Sequence, residues 1–302
     1  MCVPVYNRER YLKHCIESIF TQKIDSDTIE FLFFDDGSTD NSKEIINEVI
    51  KNNTNLNIRL ISNTVNQGLW NARNTLYEQA RGEYILCVDA DDALAPNILN
   101  SLLYIVTDTN PDIIIFPYSE IDEHGNIIKE IDSKYSDIKS TDINKFPIDT
   151  YHFSICNKLV RTKLIQNLGT KVPKGVNCWE DLSITSRIYV LAKKIIVMHE
   201  TGYYYRKHNS ESYSSRDHKK ILEEHLVCTD FISNWLKTNG IEQDYCDFLN
   251  HLKFAAKIKM LRGSSFEYKR WKTTYPESNK IIMTMPGVPL LFRIIFTLLS
   301  KI

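Results

Sequence analysis

The sequence predicts an α/β chain with a Rossmann-like, mostly parallel central sheet flanked by helices and an α-helical C-terminal extension. Three observations carry this. The first 115 residues alternate short apolar runs with amphipathic helical patterns, a βαβαβαβ progression that builds a right-handed open sheet. The run Tyr84-Ile85-Leu86-Cys87-Val88, bounded by Gly82 and Pro96, is continuously apolar, as in a strand buried on both faces. From about Arg216 the pattern turns helical to the end, with breaks at Gly240 and Gly263.

That apolar run leads straight into Asp89-Ala90-Asp91-Asp92. In open parallel sheets, ligands sit outside the carboxyl ends of the strands. Side chains two apart on a strand point the same way, about 7 Å apart along it, so Asp89 and Asp91 are expected to face one ligand while Asp92 turns aside. Like charges this close repel, and a hard cation with oxygen ligands relieves them. The competing reading makes these acids a cap for the helix after Pro96, although a cap needs one acid rather than three.

The other elements follow in order. The first strand ends in Val3-Pro4-Val5-Tyr6-Asn7, and Asn7 is placed to cap a helix with a buried stripe of Tyr11, Leu12, Cys15, Ile16, Ile19 and Phe20. Ile29 to Phe34 is a second buried strand, ending in Asp35-Asp36-Gly37-Ser38-Thr39-Asp40. Asn41 and Glu44 have capping-box spacing before a helix with Ile45, Ile46, Val49 and Ile50 inward. Asn57 to Ile61 is a third strand. Asn66-Gln67-Gly68 then turns into a helix carrying Leu69, Ala72, Leu76 and Ala80. After Pro96 a helix with Leu99, Leu102, Leu103 and Val106 leads to a strand over Asp112 to Phe116.

Beyond it, Glu123-His124-Gly125-Asn126 reads as a hairpin turn between Tyr118–Ile121 and Ile127–Ile131, and Ser133 to Asp149 as a polar surface excursion. Ile155 to Val160 returns to apolar character, Cys178-Trp179-Glu180-Asp181 opens a helix, and Ile195 to Met198 is a further strand. The length of 302 residues suits a main domain, placed at 1–215, with an extension at 216–302.

A net charge of −1 offers no electrostatic case for nucleic acid as partner. Seven scattered cysteines, odd in number and without a CxxC pair, read as buried free thiols in a reducing compartment. No signal peptide opens the chain; Met1-Cys2-Val3-Pro4 enters a strand so abruptly that residues are expected to be missing before it. The lack of GxGxxG after the first strand argues against a dinucleotide dehydrogenase, and the lack of GxxxxGK[ST] against a P-loop NTPase. A haloacid-type phosphatase needs strand-end acids two apart, whereas Asp35 and Asp36 are adjacent.

Val3-Pro4-Val5-Tyr6-Asn7, Asp35 to Asp40, Asn66-x-Gly68, Ala72-Arg73-Asn74, Ala80-x-Gly82-Glu83-Tyr84 and Asp89-Ala90-Asp91-Asp92 resemble the inverting family-2 glycosyltransferases of GT-A fold. Order and spacing agree across about 120 residues. Weaker matches continue in Asn157-Lys158-Leu159, Glu180-Asp181 and Tyr204-Tyr205-Arg206-x-His208, covering about two thirds of the chain. Two departures are the short first strand and Leu69-Trp70-Asn71 in place of small residues, which affects the edge of the donor pocket.

The resemblance implies a nucleotide-sugar donor, a UDP-sugar above all, and a saccharide or lipid-linked saccharide acceptor. It assigns Asp36 to a hydrogen bond from the uracil N–H, Pro4 and Tyr6 to the base pocket, and Arg73 to base or phosphate. Asp89 would hold the ribose or share the metal, and Asp91 would bind Mn²⁺ or Mg²⁺ at the diphosphate. Asp181 would be the general base, at a helix start whose dipole favours a carboxylate, with Trp179 stacking on an acceptor sugar and Glu180 orienting it. Lys158 and Arg206 would reach the phosphates, and His208 would stand near the metal on a loop whose Ser210, Ser212, Ser214 and Ser215 suit a lid. Each of these residues also has a structural reading: a turn tie for Asp36, solvated helix faces for Arg73, Glu180 and Asp181.

The implied setting is surface-polysaccharide, lipopolysaccharide or glycoprotein glycan synthesis on the cytoplasmic side of a bacterial membrane. Pro289 to Ile302 is apolar but too short to span a bilayer; it either packs on the helical extension or lies on the membrane surface. Two other classes are weighed. A binding module would hold a nucleotide sugar or glycan without transferring it, which the intact acids at both metal and base positions oppose. A sugar nucleotidyltransferase needs a Gly-rich basic triphosphate loop, which Val5-Tyr6-Asn7-Arg8 does not supply.

Overall fold

A computed structural model of the chain describes residues 1–22, 28–132, 137–138, 140–146, 150–207, 217–261, 267–283 and 288–301. The chain runs β1 (Cys2–Val5), α1 (Glu9–Phe20), β2 (Glu30–Asp35), α2 (Ser42–Asn52), β3 (Asn57–Ser62), α3 (Leu69–Gln79) and β4 (Tyr84–Leu86). It continues through β5 (Ala93–Leu94), α4 (Ile98–Thr109), β6 (Ile113–Ile115), β7 (Tyr118–Ile121), β8 (Ile127–Ile131) and β9 (Asp137–Ile138). Then come α5 (Thr150–Phe153), β10 (Lys158–Arg161), α6 (Thr162–Gln166), α7 (Glu180–Leu191), β11 (Ile195–Val197) and β12 (Tyr203–Arg206). Four helices close it: α8 (His218–Thr238), α9 (Cys246–Met260), α10 (Tyr268–Thr273) and α11 (Leu290–Lys301).

The strand order is that of an open sheet. β1, β2 and β3 pair in parallel, and a parallel bridge between Cys2 and Cys87 brings β4 alongside β1. From β4 the order continues β10, β6, β11, β9. β6 and β11 are parallel, while β10 inserts antiparallel between β4 and β6. A second sheet, ordered β5-β12-β7-β8, takes its first strand from the segment just after Asp89 to Asp92, and includes the expected hairpin.

Burial explains why the apolar runs become these elements. Residues Phe31 to Phe34 of β2 and Ile113 to Ile115 of β6 are buried without alternation, since helices cover both faces of the sheet. In α1 the stripe Tyr11, Leu12, Cys15, Ile16 and Ile19 faces inward as its helical spacing requires. The main apolar core runs from Cys2 to Leu252, so α8 and part of α9 belong to it. A second cluster gathers Phe254, Met260, Trp271, Ile282 and Phe296. Phe296 meets Phe254 edge-on at 5.5 Å, anchoring one side of α11, while Leu290, Leu291, Phe292, Ile294, Ile295 and Leu298 remain exposed. No helix among the described residues is long and apolar enough to cross a membrane.

Three local expectations are corrected. Asn7 does not cap α1: at φ +50° it turns its Oδ1 to accept the Thr39 N–H at 2.8 Å, tying β1's end to the loop after β2. Asn41 makes no capping bond either; instead the Glu9 carboxylate accepts from its backbone N–H at 2.9 Å and its amide at 2.6 Å. Both asparagines satisfy cross-loop partners, which compete with local caps for the same side chain. Finally, β4 ends at Leu86, and Asp92 N–H donates to Asp89 O at 3.0 Å. Asp89 to Asp92 therefore form a turn, and strand alternation does not decide where they point.

Candidate active site

The turn is locked from beneath by Asp92. This residue is 2% exposed, and its carboxylate accepts the Tyr203 hydroxyl at 2.7 Å and the Arg206 backbone N–H at 2.7 Å. The Tyr203 oxygen accepts in turn from Asp89 N–H at 3.1 Å. Burial, followed by the charges of Asp91 and Asp89, pushes the Asp92 carboxyl well above its ordinary range. Asp92 is thus the acid that turns aside, as expected, and its task is to hold the other two.

Asp91 and Asp89 each meet an arginine. Asp91 Oδ2 lies 3.1 Å from Arg8 Nε at the rim, its side chain 18% exposed. Asp89 Oδ1 lies 2.8 Å from Arg73 Nη2, and its Oδ2 accepts from the Cys156 thiol at 3.2 Å. Burial first, then the Asp89 charge, pushes that thiol well above its ordinary range, so it remains a protonated donor.

Arg73 joins this turn to the candidate base. It is fully buried on α3, and the same Nη2 lies 3.8 Å from Asp181 Oδ1. Its Nε and Nη1 find no hydrogen-bond partner among the described residues. Asp181, in the first turn of α7, accepts the Ile155 N–H on Oδ2 at 3.0 Å while its side chain stays 23% exposed. Burial raises the Asp181 pKa, the Arg73 charge opposes this, and Asp89 adds to the rise. Glu180 is buried beside it and pushed well above its ordinary range by burial and by Asp181. A carboxylate raised by desolvation and still open to one side is chemically suited to take a proton.

On the β1–β2 side, Tyr6 is exposed and Pro4 is buried opposite Phe34. Asp36 is 2% exposed, and it accepts from Asn63 Nδ2 at 2.7 Å, Gly68 N–H at 2.7 Å and Gln67 N–H at 3.1 Å. Three donors meet a group with about four acceptor sites. They fasten the turn before α3, where Gly68 takes φ +100° and a Cβ would lie 2.5 Å from Asn177 Oδ1.

Several expected contacts are engaged elsewhere. Arg206 does not ride a loose loop: it sits in β12, 4% exposed, with Nε on Asp91 O at 2.9 Å and Nη1 on Asp122 O at 2.7 Å. Its Nη2 faces His14 Nδ1 at 3.2 Å. These bonds make it a strut under the acidic turn, not a clamp closing on phosphate. Lys158 is fully buried in β10, with Nζ on Asn157 Oδ1 at 2.6 Å and on Ser154 O, and its charge acts to lower the Asp181 pKa. The Trp179 ring stacks on His225 with centroids 4.1 Å apart and has Lys259 Nζ 4.2 Å from its centroid, so the plane expected for a sugar is occupied from within. His208 and the serines of the expected lid lie outside the described residues.

A resident cation can be judged by the donor set. Among the described residues no three His, Cys, Asp or Glu side chains group around one point. Mg²⁺-type sites often use one or two carboxylates plus substrate phosphates, and the part-exposed Asp91 fits that single-carboxylate anchoring once Arg8 gives way.

The family model described as glycosyl transferase family 2 matches residues 1–169, more than half of the chain and the whole acidic turn. The chain belongs to glycosyl transferase family 2. It is therefore a glycosyltransferase. It is similar to the putative glycosyltransferase EpsH of Bacillus subtilis, 29% identical over 280 residues, 91% of this chain and 77% of that protein. Glycosyltransferase GlyG of Streptococcus pneumoniae is 28% identical over 221 residues, 68% and 69% of the two chains. Poly(ribitol-phosphate) β-N-acetylglucosaminyltransferase TarS of Staphylococcus aureus is 26% identical over 263 residues, 84% of this chain but 44% of TarS. Among solved structures, residues 1–349 of S. aureus TarS with UDP-GlcNAc superpose with a TM-score of 0.76 at 21% identity, covering 99% of this chain and 87% of that one. A mannosyltransferase from Pyrobaculum calidifontis with GDP-Man and Mn²⁺ follows at 0.58 and 15%, covering 99% and 84%. At these identities the structural likeness shows the shared GT-A fold.

In this family-2 transferase, sequence reasoning missed Asn177, Glu224, Cys156 and Tyr203. The last belongs to an aromatic run, Tyr203-Tyr204-Tyr205, that signals a strand. The others carry no local signal, because each acts on a partner distant in the chain.

Proposed function

We propose that this glycosyltransferase moves a sugar from a UDP-sugar to a saccharide or lipid-linked saccharide with inversion, using Asp181 as general base. The observation that best supports the reading is the Arg73 guanidinium, 2.8 Å from Asp89 and 3.8 Å from Asp181. One buried cation spans the donor-side acid and the acid raised by burial.

In this mechanism Asp181 removes the proton of the acceptor hydroxyl as that oxygen bonds to the anomeric carbon. The bond from that carbon to the diphosphate breaks on the opposite face, and its electron pair leaves with the nucleoside diphosphate. Glu180 orients the acceptor, Tyr6, Pro4 and Asp36 bound the base, and Asp89 meets the ribose. Mn²⁺ or Mg²⁺ held by Asp91 would supply charge stabilisation to the departing diphosphate. The UDP-GlcNAc complex of TarS supports the choice of nucleotide, and the poly(ribitol-phosphate) named for TarS supports a hydroxyl-bearing polymer as the kind of acceptor.

The proposal sets a transferase domain at 1–215 and a helical extension at 216–302, working in the cytoplasm at the inner face of the membrane. The exposed apolar side of α11 supports contact with a bilayer surface. The test is a thermal-shift panel of nucleotide sugars with and without Mn²⁺, followed by transfer assays with the donor that stabilises best. Stabilisation by a UDP-sugar with no transfer or hydrolysis would sink catalysis in favour of a binding module.

A further inference from the structure

Helix α8 lies outside the matched family region, yet one of its faces is spent on Asn177, Cys178 and Trp179, the three residues before the Glu180-Asp181 pair. Ile221, Glu224, His225 and Cys228 recur at helical spacing and are all buried. The Glu224 Oε2 accepts the backbone N–H of Asn177 at 2.7 Å and of Cys178 at 2.8 Å. Ile221 O accepts the Trp179 indole N–H at 3.1 Å, His225 stacks on that indole, and the Cys228 thiol donates to Trp179 O at 3.3 Å. Glu180 and Asp181 follow immediately. The same loop faces the donor side, since Asn177 Oδ1 accepts the Trp70 N–H at 3.2 Å in the first turn of α3.

We infer that Glu224 is a positioning residue for the general base, and that α8 is a working part of the transfer site. The inference rests on Asp181 being that base. Two backbone donors on one buried carboxylate oxygen leave the 177–178 segment little freedom, and the helix carrying Asp181 starts from it. The negative charge also sits ahead of the α7 N-terminus, where the helix dipole favours it. A displacement of about 1 Å at a reacting group can cost about a hundredfold in rate. Donor contacts on β1, β2 and α3 do not depend on Glu224 directly.

The experiment measures kcat and donor dissociation constant for E224A, E224Q and D181N, with the melting temperature of each. E224A is expected to lower kcat by about tenfold or more with donor affinity within about twofold of wild type. E224Q is expected to recover most of that rate, because a Gln carbonyl accepts both N–H bonds. Wild-type kcat in folded E224A would overturn the inference, and so would E224Q as slow as E224A. If E224A does not fold, E224D serves instead, its shorter side chain drawing the carboxylate back from the Asn177 and Cys178 N–H groups; wild-type kcat there would overturn it equally. Turnover in D181N at the wild-type rate would overturn the base assignment and this inference with it, whereas a slow D181N beside a wild-type E224A would overturn the inference only.

Discussion

Arg73 and Asp181 stand 3.8 Å apart, a fully buried guanidinium beside a carboxylate that burial pushes upward. The arginine charge opposes that push. Removing it by R73M should therefore raise the Asp181 pKa further. A base works only when deprotonated, so the acid limb of the kcat–pH profile is expected to move to higher pH. An unmoved acid limb in folded R73M would separate Arg73 from the base.

Asp181→Asn keeps the Ile155 N–H bond available through its side-chain oxygen but cannot take a proton. Turnover is expected to fall by about 10² to 10⁴, the usual worth of general-base catalysis, with donor binding retained. Calorimetric titration of donor beside single-turnover kinetics checks both halves.

Asp91→Ala should abolish the Mn²⁺-dependent part of donor stabilisation. The fold should survive, because Asp91's side chain stands at the rim against Arg8 while the buried ties of the turn belong to Asp92 and Tyr203. Thermal shifts with UDP-sugar, with and without Mn²⁺, read this directly; an unchanged metal effect would remove Asp91 from the metal's ligands.

Tyr203→Phe removes a hydroxyl that donates to Asp92 and accepts from Asp89 N–H. Two buried partners lose a bond, at a cost of about 1–3 kcal/mol each at most. Urea unfolding should register lower stability, and donor affinity should weaken as the acidic turn loosens.

On α11, replacing Leu291 and Leu298 by Glu places charge on exposed apolar positions away from the buried Phe296. Co-sedimentation with anionic lipid vesicles should drop while transfer to a soluble acceptor stays intact. Absence of sedimentation in the wild-type chain would end the membrane proposal.

Much of this molecule was readable from residue order. The apolar runs at Phe31 to Phe34 and Ile113 to Ile115 specified buried strands, because continuous apolarity has few other solutions at that length. The ordered motifs around Asp36, Arg73 and Asp89 specified the family and, with Asp181, nominated the candidate site, since strand ends in a parallel sheet converge on one edge. What each of those residues touches was decided only in three dimensions. Arg73 turned out to be a buried bridge, Arg206 a strut and Trp179 a stacked anchor, because each met a partner distant in the chain, and Lys158 a core cation, folded inward onto Asn157 and Ser154. Asp92 gained its role from Tyr203, 111 residues away, and the base loop gained Glu224 from 46 residues downstream. A local pattern reports helical and strand periodicity; it carries no record of which distant donor will fill a carboxylate once the chain has closed.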